Sequence, residues 1–138
     1  MIPDWARRYV GIPWKDSGRD ALGSDCFGLV RLVLLEQFRV DLPSYVGAYV
    51  SAHEREEVSS LIAGHVATDG CWMPVAMPRA GDGIVLRILN RPWHVGLMVS
   101  PHAFLHVQET QGYSTIERLD DSRWARRIVG FYRHRALG

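Results

Sequence analysis

Apolar and polar positions divide this chain into a helical first half and an extended second half. Trp5, Ala6, Tyr9 and Val10 recur at helical spacing behind Pro3, which fits a first helical position, and Gly11 marks the stop. Ile12-Pro13-Trp14 opens a loop, and the polar, glycine-containing run over 15–23 predicts chain on the surface. Ser24 or Asp25 then caps a helix over 26–38 that is apolar around most of its circumference. Such a helix is expected at the centre, packed on several sides. Ser51-Ala52-His53-Glu54 has the spacing of a capping box, ahead of a helix carrying Val58, Leu61 and Ile62 and stopped by Gly64. Beyond residue 70 the period changes, and 71–76, 83–89, 93–100, 103–109 and 128–135 predict strands separated by turn residues. Helices first and antiparallel strands afterwards predict an α+β domain, one unit over 1–138, because no stretch reads as a linker.

Strand alternation carries a second message. Val95, Leu97 and Val99 alternate with His94, Gly96 and Met98, while Leu105 and Val107 alternate with Phe104, His106 and Gln108. If the valines and leucines share a buried face, a hairpin through Ser100-Pro101-His102 puts His94 and His106 together on the other. Gly96 leaves room on that face for another element, and the helix starting at Cys26 is the expected one.

Composition removes several classes of function. The 138 residues suffice for a core of their own, and 47% hydrophobic with 22% charged residues is the balance of an ordinary globular protein. A formal charge of +1 creates no global field, so neither nucleic acid nor a membrane surface is an expected partner. Arg123, Arg126, Arg127, Arg133 and Arg135 read as a solvated face. The apolar run over 29–35 is broken by Arg31 and is too short to cross a bilayer, and the amino-terminal residues lack the layout of a secretory signal. Synthesis in the cytoplasm is therefore expected. Cys26 and Cys71 suggest no disulfide scaffold, and no paired short-spacing ligand motif points to zinc; no cofactor is expected.

The chemistry converges on Cys26. A thiol at a helix start meets unpaired N–H groups and a partial positive charge, which favour the thiolate. His94 is the candidate base, and His106, with Gln108 and Glu109 as weaker choices, is the candidate group to fix its ring. The Cys26 amide and the Trp14 indole are candidate oxyanion donors. Asp25 reads as an N-cap or a substrate contact. Any one of these residues alone is more often a packing residue; their coincidence is the signal.

At these positions the sequence resembles the NlpC-type cysteine peptidases of bacterial cell walls, a papain-like α+β family. The resemblance runs through 9–14, Asp25-Cys26-Phe27-Gly28-Leu29-Val30, Pro78-Arg79-Ala80-Gly81-Asp82, His94-Val95-Gly96-Leu97 and Phe104-Leu105-His106. It implies Cys26 as nucleophile, His94 as base and His106 as orienting residue, acting on peptidoglycan stem peptides between D-glutamate and a diamino acid. Trp14 stands where the family usually has Tyr, and Phe27 where it commonly has Ser. With neither export segment nor wall-binding repeats in view, the resemblance points to the subgroup of tailed phages, prophages and gene-transfer particles. The expected partners are then tail-tip, hub or baseplate proteins, with action in the periplasm and wall. A structural tail plug with little activity, and an amidase or acyltransferase on the same scaffold, are the alternatives.

Overall fold

A computed structural model of the protein describes residues 2–15, 18–42, 72–88 and 91–138. The helix expected behind Ser51, together with His53, His65 and Cys71, lies outside the described residues. In chain order the elements are α1 (Asp4–Arg7), a small hairpin of β1 (Arg19–Asp20) and β2 (Gly23–Ser24), and α2 (Cys26–Phe38). There follow β3 (Trp72–Val75), β4 (Gly83–Ile88), β5 (Arg91–Ser100), β6 (Ala103–Val107), β7 (Ser114–Arg118) and β8 (Ile128–His134). The last six strands form one sheet in the order β3-β8-β4-β5-β6-β7, antiparallel throughout. The architecture is the α+β arrangement that the change of period predicts.

Helix α2 begins and ends where the sequence places it. Asp25 is its N-cap, in an extended conformation, and its Oδ1 accepts from the Gly28 N–H at 2.7 Å, satisfying one of the orphan donors of the first turn. Phe27, Leu29, Val30, Val33 and Leu34 are all buried, so packing surrounds the helix instead of following one stripe. Tyr9 ties the amino-terminal segment to it: the hydroxyl donates to Glu36 Oε1 at 2.7 Å and accepts from Gln37 Nε2 at 2.9 Å.

Helix α1 is only four residues long, with Pro3 as N-cap and not as its first residue. The chain leaves the helix because distant partners take its backbone groups. Gly11 N–H donates to the Ser114 carbonyl at 2.9 Å, and Ile12 N–H to Ser114 Oγ at 2.9 Å. Strand β7, which supplies those partners, is absent from the sequence expectation; it pairs with β6 from Ala103↔Arg118 to Val107↔Ser114.

The sheet is buried on both faces across its middle. Val85, Val95, Leu97, Leu105 and Val107 join α2 in one hydrophobic cluster, whereas their alternates Ile84, Leu86, Met98 and Phe104 join Trp124 in a second. Helix α2 therefore does not come down on the Gly96 side, as the alternation led us to expect. Gly96 is small for another reason: a Cβ there would lie 2.8 Å from the Leu105 carbonyl, 3.2 Å from Ile84 and 3.3 Å from His106 Cβ. Its missing side chain makes room within the sheet.

A clasp sets the start of β4, the strand between β8 and β5. Gly81 takes φ +98, a conformation that suits glycine, and Asp82 follows with its side chain fully buried. The Asp82 carboxylate accepts from Arg133 Nε and Nη2, both at 2.8 Å, and from the Arg79 N–H at 2.9 Å. Arg133 is thus withdrawn from the solvated basic face expected of it, with 19% of its side chain exposed.

Candidate active site

Cys26 is the first residue of α2, a buried thiol in no disulfide and only 2% exposed. The helix start puts aligned amide dipoles behind the sulfur, which stabilises negative charge there. Trp14 forms a parallel bridge with Ser24 and donates its N–H to Gly112 at 2.8 Å, so it lies beside the segment leading into Cys26. Asp25 takes the capping role, its carboxylate directed into the first turn.

The second half contributes the imidazoles. His94 on β5 and His106 on β6 are buried at 6% and 1% exposure, and His94 Nε2 lies 2.9 Å from His106 Nδ1. The two rings stand 5.1 Å apart between centroids, at 69°. Alternation within the two strands brings them together as the sequence requires. Helix α2 packs on both of these strands, against the face that carries Val95, Leu97, Leu105 and Val107.

The group behind His106 is not one that the sequence nominated. Its Nε2 lies 3.4 Å from Glu117 Oε2 on β7, and Glu117 Oε1 accepts from Arg123 Nη2 at 3.0 Å. Gln108 and Glu109 follow the end of β6, and Glu109 is exposed. Rings of Trp124 and Phe104 close around His106, with centroids 4.8 Å and 5.1 Å away. Burial among them holds its pKa below the ordinary imidazole value, against the opposing pull of Glu117. A neutral His106 follows near neutral pH.

These contacts give Gly96 a testable part. Gly96→Ala forces the Leu105 carbonyl or His106 to move, and overpacking of this kind destabilises by about 1–3 kcal/mol. Thermal unfolding should show a Tm fall of roughly 5 °C or more, and an unchanged Tm would mean that β6 yields freely. Among the described residues, no three His, Cys, Asp or Glu side chains gather as a metal site, and no helix is long and apolar enough to cross a membrane.

The NlpC/P60 family model matches residues 11–133, a span that holds Cys26, both histidines and Glu117. The chain belongs to the NlpC/P60 family. Among curated family relatives is the Escherichia coli murein DD-endopeptidase MepS/murein LD-carboxypeptidase, 24% identical over 126 residues, which cover 91% of this chain and 57% of that protein. The chain thus spans little more than half the length of that relative. Solved NlpC/P60 structures share the fold. The NlpC/p60 domain of the peptidoglycan hydrolase SagA superposes with a TM-score of 0.56 at 19% identity, covering 92% of this chain and 90% of that domain's chain. A family protein of Bacillus cereus gives 0.61 at 14% identity, covering 97% of this chain and 41% of its own.

Proposed function

We propose that this chain is a cysteine endopeptidase of peptidoglycan stem peptides that works through a thioester on Cys26. The observation that carries the reading is the buried His94–His106 hydrogen bond, held on strands packed against a helix headed by a cysteine in no disulfide. His94 takes the thiol proton, Sγ attacks the amide carbonyl, and the oxygen gains negative charge, for which the Cys26 N–H and the Trp14 indole are the donors in this reading. The C–N bond breaks as His94 returns the proton to the leaving amine. Water, deprotonated by His94, then cleaves the thioester and releases the thiolate. His106 holds the His94 ring from behind, through the ring nitrogen that does not face the sulfur.

Peptidoglycan as substrate is supported by the murein endopeptidase and peptidoglycan hydrolase named among the relatives. The bond between D-glutamate and a diamino acid follows from the sequence resemblance. Mass spectrometry of muropeptides after incubation with purified sacculi tests both: new fragments with a free amino terminus on the diamino acid are expected. Unaltered muropeptides from several wall types, with folded protein, would overturn the reading. The setting on a phage-like tail tip, with hub or baseplate partners, rests on that resemblance alone. Immunodetection in purified particles tests it separately.

A further inference from the structure

Glu117 has no part in the mechanism above, yet it is a buried acid aimed at the orienting histidine. It is 8% exposed, and one carboxylate oxygen faces His106 Nε2 while the other is held by Arg123. Thr115 Oγ1 adds a contact to Oε2 at 3.5 Å. Arg123 is in turn braced by Asp121, whose Oδ1 and Oδ2 accept from its Nε and Nη2 at 3.2 Å and 3.1 Å. The side chain that reaches in is fixed from outside.

The proton arrangement follows from donor and acceptor counting. A carboxylate only accepts, so the hydrogen between His106 and Glu117 belongs to His106 Nε2. A neutral His106 then presents a lone pair at Nδ1, and the 2.9 Å contact to His94 needs a hydrogen on His94 Nε2. That leaves the lone pair of neutral His94 at Nδ1, the nitrogen that must accept the thiol proton. With the opposite tautomer of His106, its Nδ1 hydrogen would be donated to His94 Nε2, and neutral His94 would carry its own hydrogen on Nδ1, where it could not accept the thiol proton.

We infer that Glu117, anchored by Arg123, is a positioning residue that fixes the tautomer of His106 and, through it, directs His94 Nδ1 toward Cys26. This rests on the reading of Cys26 as nucleophile and His94 as base. The charged and titratable groups around His106 are His94 from β5, Glu117 from β7 and Arg123 from the turn after it, while β6 and the Trp124 segment contribute aromatic rings. The carboxylate charge, passed along the two hydrogen bonds, also favours the imidazolium of His94 once it has taken the proton.

The test uses the full chain with ¹⁵N-labelled histidine and a small alkylating reagent. Long-range ¹H–¹⁵N spectra of the unmodified protein should show His106 protonated at Nε2; a hydrogen at Nδ1 would overturn the proposal. Iodoacetamide labelling of Cys26, followed peptide by peptide against pH, should then show a thiolate forming below the usual thiol range. In Glu117→Gln the amide can turn its NH₂ toward His106, and the ion-pair window should narrow from both ends. A shift of roughly one pH unit, hence about tenfold slower labelling near its acid limb, is expected. Arg123→Gln keeps the carboxylate and should give a smaller shift with the Nε2 tautomer retained, and it serves if Glu117→Gln does not fold. An unshifted profile in folded Glu117→Gln, or in Arg123→Gln where that variant must stand in, overturns the role of Glu117 alone. Inert Cys26 in the unmodified protein overturns the nucleophile reading and this inference together.

Discussion

Replacing Cys26 with alanine should abolish hydrolysis of sacculi, lowering the rate by on the order of 10⁴-fold or more, because a nucleophile that acts as a unit with its base leaves little behind when removed. The fold should survive. Deleting one sulfur from a site that is 2% exposed leaves a cavity smaller than a methylene pair, a loss of about 1 kcal/mol. Cys26→Ser sharpens the experiment: its hydroxyl fits, but a hydroxyl has no accessible anion at neutral pH, and the rate should fall almost as far. Digestion of sacculi by Cys26→Ala at the parent rate, with matched circular dichroism, would remove the thioester from consideration.

Asp82→Asn should have the largest effect on stability. Three donors converge on the carboxylate, two from Arg133 and one from the Arg79 backbone, and all lie within 2.9 Å. An amide offers one oxygen in place of two and turns its NH₂ toward a donor. Breaking a buried, hydrogen-bonded ion pair from one side costs about 3 kcal/mol, corresponding to a Tm fall of roughly 10 °C. Because the pair is a unit, Asp82→Asn with Arg133→Gln should lose less than the sum of the single variants, a difference that a double-mutant cycle in urea reads directly. Additive losses would show that Asp82 serves the turn and not the pair.

Local rules made α2 and the histidine pairing legible. Residues 25–38 carry their own cap and apolar positions around most of the helix, and a period of two leaves His94 and His106 no choice but to share a face once the hairpin closes. The helix's choice of face was a different kind of question. Ile84, Leu86, Met98 and Phe104 are as apolar as Val85, Val95, Leu97 and Leu105, so pattern alone does not say which set meets α2. Glu117 was missed with its strand. Ser114-Thr115-Ile116-Glu117-Arg118 is short and mostly polar, and it becomes a strand through pairing with β6, a tertiary cause. The signal was there in Thr115 and Ile116, β-branched residues between the Gly112 turn and Asp120.

Ser114 has a consequence for the order of folding. Its hydroxyl accepts from Ile12 and donates to the Tyr9 carbonyl, while its backbone exchanges hydrogen bonds with Gly11 and Ile12. Two stretches more than a hundred residues apart along the chain are therefore latched together. Closing so long a loop is entropically costly, so the segment bearing Trp14 gains its hold on β7 only once a distant part of the chain has folded against it.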